Sequence, residues 1–124
     1  MSKTMQKKLN KTLCFDIDGV ICTTNKNDYM NSKPKKRNIK VINQLFNKGY
    51  NIKIFTARYM GRNNDNANKA KKEGYLSTKK QLKSWGLNYN KLIFGKPSFD
   101  LIVDDKAIFF NKSWGKKILR VLKI

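Results

Sequence analysis

Two aspartates, Asp16 and Asp18, stand at the end of a short apolar run, Leu13-Cys14-Phe15, with Ile17 between them and Gly19 behind. An apolar run ending in carboxylates reads as a strand whose C-terminal tip is acidic, and in open parallel α/β sheets that tip is where ligands bind. A carboxylate there can attack phosphorus and form an aspartyl-phosphate. A second one, two residues on, can protonate a leaving oxygen and then activate water. Three other places repeat the pattern of an apolar run followed by a chemically useful residue. Thr56 follows Ile52-Lys53-Ile54-Phe55, Lys96 follows Leu92-Ile93-Phe94, and Asp104 with Asp105 follows Leu101-Ile102-Val103. Four carboxylates in one small site would repel one another without a cation. Oxygen donors with no imidazole favour Mg²⁺, an ion suited to handling phosphate.

Histidine is absent from the chain. That removes Ser-His-Asp and Cys-His catalysis and the His-based zinc motifs. Proton transfer near neutral pH falls to Asp, Glu, Lys, Tyr or Cys.

Positioning these residues requires strands alternating with helices. Leu13–Ile17 reads as the first strand, and 19–33 as a polar loop or flap behind the aspartates. Pro34 suits the first turn of a helix, which carries Ile39, Ile42, Leu45 and Phe46 on one face and ends at Gly49. Asn51–Thr56 is the second strand. Asn63–Asn66 reads as a turn or cap. Asn68–Glu73 reads as a short polar helix interrupted by Gly74, and Ser77 or Thr78 caps a further helix bearing Leu82 and Trp85, with Gly86 at its end. Leu92–Phe94 and Leu101–Val103 are the third and fourth strands. Ala107–Phe110 is apolar, and the segment from Ile118 to Ile124 is compatible with either strand or helix. The expectation is a single α/β domain over 1–124, Rossmann-like, a parallel sheet with helices on both faces. Forty positions separate Asp16 from Thr56, and forty separate Thr56 from Lys96. Each interval needs a crossover helix, so no cap domain fits and the site should be open.

The chain holds 28 Lys and Arg against 8 Asp and Glu, a net charge of +20. Such a field favours anionic substrates. It also suits nucleic acid, though the lysines are spread along the chain, which is the pattern of a biased composition, and nucleic acid is the less favoured partner. With 124 residues, 40% hydrophobic, and 14 aromatics (7 Phe, 5 Tyr, 2 Trp), the chain can bury a core. No apolar run is long enough to span a bilayer, and the basic leader at 1–11 lacks the apolar stretch of a secretory signal. Cys14 and Cys22 read as reduced, buried residues of a cytoplasmic protein.

Phe15-Asp16-Ile17-Asp18-Gly19-Val20 resembles the first motif of the haloacid dehalogenase-like (HAD) phosphatases. Phe55-Thr56-Ala57-Arg58 resembles their second, Gly95-Lys96-Pro97 their third, and Val103-Asp104-Asp105 their fourth, in the family's order. One D-x-D-G alone is a weak signal. Four motifs in order, each at a strand end or just beyond one, are a strong signal. Together with Leu76, Thr78, Gln81-Leu82, Trp85-Gly86 and Lys106-Ala107, they look most like the small phosphatases of capsule and surface-polysaccharide synthesis. The resemblance implies that Asp16 is the nucleophile and a Mg²⁺ ligand. Asp18 would be the acid/base and bind the metal through its carbonyl, and Thr56 would bind the phosphoryl group. Lys96 would orient Asp16 and neutralise charge in the transition state. Asp104, with Asp105, would complete the metal shell. Gly19 and Ala57 would offer backbone N–H groups to phosphoryl oxygens, and Arg58 would meet substrate. The implied activity is a Mg²⁺-dependent phosphomonoester hydrolase acting on a sugar phosphate or polysaccharide precursor. Nucleotides or nucleic-acid ends are the alternative substrates, and a silent binding module on the same fold is the alternative of another class. A capless enzyme can also be a homo-oligomer.

Overall fold

A computed structural model describes residues 11–124. Apart from Lys11, the expected basic leader lies outside the described residues. In chain order the elements are β1 (Thr12–Phe15), β2 (Cys22–Thr23), β3 (Lys33–Pro34), α1 (Lys36–Asn47), β4 (Asn51–Thr56), α2 (Ala67–Ser84), β5 (Lys91–Phe94) and α3 (Trp114–Leu122). The main sheet is parallel, in the order β1-β4-β5, and is flanked by the helices. This is the expected α/β architecture, and among the described residues the two long connections are used up by α1 and α2, leaving no cap domain. Parallel neighbours need such crossovers. They deliver Asp16, Thr56 and Lys96 to one end of the sheet.

Burial alternates with the strand period of two. Phe15, Ile17, Ile52, Ile54, Thr56, Leu92 and Phe94 are buried, while Cys14 is exposed and Lys53, Phe55 and Ile93 are half-buried. Ile39, Ile42 and Leu45 of α1 are buried as their spacing predicts, and Phe46 packs at the margin. Each fully buried Ile or Leu here contributes roughly 2 kcal/mol relative to exposure. Trp114, at the start of α3, packs edge-on against Phe15 at 5.8 Å and donates its indole N–H to Asn38 Oδ1 at 3.1 Å. The segment ending the chain is therefore helical, with Ile118 also buried.

Four expectations change. Pro34 does not open α1. It sits in β3, opposite Cys22, and α1 begins two residues later. The two helices expected on either side of Gly74 are one, Ala67–Ser84, capped by the Asn66 side chain accepting from the Lys69 N–H at 3.0 Å. Gly74 does not break it, because α2 needs glycine there for a packing reason. A Cβ at Gly74 would overlap Cε2 and Cδ2 of the Tyr59 ring. Gly74→Ala should therefore destabilise the fold by about 1–3 kcal/mol despite alanine's better helix propensity. Urea denaturation would show it as a lower midpoint at unchanged slope, and a rise in stability would mean the ring is free to move.

The third change is the fourth strand, which does not form. Residues 101–110 have no regular structure, with Leu101 84%, Val103 94% and Phe109 79% exposed. The apolar run is there, but among the described residues no neighbouring strand hydrogen-bonds it, and the outer edge of β1 is unpaired. The fourth change is Cys14, which is exposed, so only Cys22 of the two free thiols is buried. Burial pushes the Cys22 thiol above its ordinary pKa, with its hydrogen-bond contact to the Thr24 hydroxyl opposing the rise, which suits a packing residue.

Candidate active site

Asp16 lies just beyond β1, where the sheet register places its neighbours Phe15 and Ile54 side by side. Its Oδ1 accepts the Ile17 N–H at 2.8 Å, and its Oδ2 lies 3.1 Å from Lys96 Nζ. Lys96 reaches it because the chain stays against β4 for two residues beyond the end of β5 at Phe94. The Lys96 N–H donates to the Thr56 carbonyl at 3.1 Å, and Gly95 turns with φ +107°. A side chain at Gly95 would be strained by that φ and would crowd the Ala67 Cβ at 2.9 Å. Glycine in the third motif thus aims the lysine.

Asp18 sits in the turn after Ile17, whose carbonyl accepts the N–H groups of Val20, Ile21 and Cys22. The start of α1 braces this turn, with Lys35 Nζ on the Gly19 carbonyl at 2.9 Å and Asn38 Nδ2 on the Val20 carbonyl at 2.8 Å. The Asp18 carboxylate takes two donors from Arg58, Nε to Oδ2 at 3.0 Å and a terminal nitrogen to Oδ1 at 3.0 Å, and a third from the Thr24 hydroxyl.

Arg58 is 1% exposed. It donates to Gln81 Oε1 at 2.6 Å and to Thr78 Oγ1 at 3.4 Å, and the Tyr29 ring lies 4.9 Å from its guanidinium carbon. Gln81 also donates through Nε2 to the Tyr29 carbonyl at 2.7 Å. One amide therefore ties the loop behind the aspartates to the arginine that holds Asp18. Thr78 and Gln81 belong to the family-like pattern, and this network gives them a task.

These residues line an open cleft of about 410 Å³. Asp16, Asp18, Ala57, Arg58 and Lys96 line it as the sequence predicts. Lys26, Asn27, Tyr29, Tyr59, Arg62 and Phe99 line it too, and no spacing or motif marks them out. The loop 20–33 is the expected flap, built on the β2–β3 pair and a Thr24–Ser32 hydroxyl contact of 2.6 Å.

Other expected members stand elsewhere. Thr56 is 0% exposed, and its hydroxyl accepts the Arg58 N–H at 3.1 Å, so it shapes the turn after β4 without facing the cleft. Gly19 is at the exposed turn, outside the cleft lining. Asp104 and Asp105 are exposed in the segment without regular structure. Asp104 accepts the Lys106 N–H at 2.8 Å, as in a turn, and neither aspartate lines the cleft. Among the described residues, no three Asp, Glu or Cys side chains form a group that could hold a metal. The donor set that Mg²⁺ would need is thus half assembled, with Asp16 and Asp18 in place and Asp104 and Asp105 away. The physical reason is the missing fourth strand, which was to carry the second pair to the sheet edge.

No protein-family model matches the chain. No curated protein matches it either. A Vibrio cholerae protein solved as an MCSG target superposes on it with a TM-score of 0.75, covering 90% of this chain and 98% of that one at 24% identity. The likeness establishes the fold. No helix among the described residues is long and apolar enough to cross a membrane.

Proposed function

We propose that the chain is a phosphomonoester hydrolase of the HAD type, working through an aspartyl-phosphate on Asp16, with a sugar phosphate or surface-polysaccharide precursor as substrate and the cytoplasm as its place of action. One observation carries this reading. A carboxylate at a strand tip meets a lysine from another strand at 3.1 Å, on the wall of a cleft with four cationic and two anionic side chains. An Asp–Lys pair on a surface is worth little. Here it faces a cleft, where the lysine can hold the nucleophile and offset charge on a phosphoryl group.

In this reading an Asp16 oxygen attacks phosphorus and the ester P–O bond breaks. The departing oxygen takes a proton from Asp18. Asp18 then removes a proton from the water that attacks the aspartyl-phosphate, and inorganic phosphate and free Asp16 are released. Lys96 keeps its proton and neutralises oxygen charge in both steps. Ala57 lines the cleft beside Arg58, where its N–H can face phosphoryl oxygens.

The test is phosphate release from sugar phosphates, nucleotides and phosphorylated oligonucleotides, with and without Mg²⁺. Release from the sugar phosphates is expected. Lys96→Ala should lower kcat about a hundredfold, more than it raises KM, because its charge is needed most as the phosphoryl group transfers. An unchanged kcat would remove Lys96 from the chemistry. The strongly positive chain favours a second reading, phosphatase action on nucleotides or nucleic-acid ends. Affinity falling steeply with salt, by several powers of the salt concentration, would decide for it. Release from no phosphomonoester would leave a silent binding module.

A further inference from the structure

The cleft is more elaborate than binding one phosphate requires. Of the five non-glycine residues with positive φ among the described residues, two line it: Lys26 at +53° on the flap and Tyr59 at +65° after β4. Such backbone conformations cost energy, and they gather where a side chain must be presented in one direction. Tyr59 is fixed in other ways as well. Its ring fills the notch at Gly74 and meets Tyr29 edge-on at 4.9 Å. Arg62 lies over that ring, its guanidinium carbon 4.9 Å from the centroid, and pairs with Glu73 at 2.7 Å. Asn63 binds the same Glu73 at 2.9 Å and the Tyr59 carbonyl at 2.8 Å. Arg62 is therefore held in place, while still half-exposed and lining the cleft.

The charges divide unevenly. Asp16 is matched by Lys96, and Asp18 by Arg58. Lys26 has no carboxylate at ion-pair distance among the described residues. The planar fork of Arg62 is shared with a carboxylate that does not line the cleft. Among the described residues Lys26 thus remains unpaired, and Arg62, which meets Glu73 through one terminal nitrogen, keeps the rest of its fork for a ligand. The flap that carries Lys26 is anchored by the Gln81 bond to Tyr29 and the Thr24–Ser32 contact, so it presents Lys26 without having to fold first.

We propose that Lys26 and Arg62 form a second anion subsite, and that the substrate is a phosphomonoester whose alcohol part carries its own negative charge, a carboxylate or a second phosphate, on a body of monosaccharide size. This rests on the hydrolase reading above and narrows it. The phosphate to be cleaved sits at Asp16 and Lys96, and the second anion is read by Lys26 and the guanidinium fork of Arg62. The cleft volume of about 410 Å³ suits a phosphorylated sugar.

Three matched probes test it: glucose 6-phosphate, 6-phosphogluconate and glucose 1,6-bisphosphate. The wild-type chain should show kcat/KM roughly tenfold or more higher for at least one dianionic-plus-anionic probe than for glucose 6-phosphate. Whichever of the two is preferred tells carboxylate from phosphate. In Lys26→Gln, Arg62→Gln and the double variant, that ratio should fall toward one. Both side chains are at the surface, and thermal unfolding of each variant checks that the fold is kept. Equal use of all three probes by the wild type, or a ratio that survives both substitutions, overturns the proposal. If no probe is hydrolysed, the hydrolase reading fails by itself and binding decides the subsite. The bisphosphate should then raise Tm above the shift given by glucose 6-phosphate, with the excess lost in the double variant; an equal shift overturns the subsite.

Discussion

If the proposed hydrolase reading holds, Asp16→Asn should abolish phosphate release, by a factor on the order of a thousand or more, while leaving the fold as stable as the wild type. An amide has no anionic oxygen to form the acyl phosphate, so the whole covalent route is lost and what remains is background. Stability should hold because Asp16 is half-buried and its ion pair with Lys96 is partly solvated, with side-chain exposures of 32% and 20%. The backbone contact from the Ile17 N–H to Oδ1 is available to the amide oxygen as well. Two assays check this, phosphate release over a long incubation and Tm by calorimetry. Release within tenfold of the wild type would show that some other group, such as a directly attacking water, makes the first bond to phosphorus. Denaturing-gel detection of labelled phosphate on the wild-type chain, absent from Asp16→Asn, would place the intermediate on this residue.

The second large effect belongs to Arg58. Arg58→Ala leaves Asp18 with a carboxylate that has lost two donors, and Gln81 and Thr78 facing an emptied space. Removing one partner of a buried ion pair costs more than the pair contributes, because the other charge is left behind. Asp18 keeps some contact with solvent, so the loss should be about 3 kcal/mol, near the lower end for such pairs. In a chain this size that lowers Tm by roughly 10 °C. Activity should fall as well, since Asp18 and the flap both lose their anchor. Gln81→Ala should cost about 1 kcal/mol, one net hydrogen bond. A double-mutant cycle of Arg58→Ala with Asp18→Asn separates charge pairing from lost packing. Coupling of about 1–3 kcal/mol is expected. A cycle closing at zero would mean that Arg58 stabilises by filling space alone.

The parts legible in the sequence are those fixed by short-range period. β4 appears at its predicted limits because Asn51–Thr56 alternates cleanly, and α1 buries the residues its spacing selects. Among many lysines, Pro97 behind it and its place eight residues before Asp104 single out Lys96, and the structure does bring it to Asp16. Arg58 was visible as a residue of the second motif, yet nothing local says that it turns inward. That follows from Gln81 and Thr78, one full connection later in the chain. Thr56 shows the reverse: a strand-end hydroxyl can face a ligand or shape its own turn, and here it is buried and accepts the Arg58 N–H, which its place in the motif alone does not say. Leu101–Val103 shows the limit of composition. The run has strand-forming residues, but a strand exists only when a neighbour supplies its hydrogen bonds, and no neighbour does so here. The Tyr59–Gly74 contact was illegible because a glycine inside a helix looks like a defect until the ring that fills it is seen.

Among the described residues the outer edge of β1 is unpaired, and this has a colloidal consequence. An open strand edge in a chain with a bare apolar stretch is the arrangement through which sheets of separate molecules join. Among the described residues the edge is blunted by its short length of four residues. The guard is global. Copies that each carry +20 repel one another before the edges can meet. That protection reaches only about 8 Å at physiological ionic strength and shrinks as salt rises. The many lysines, which say little about any one site, thus act together as a charge that opposes edge-to-edge pairing of copies.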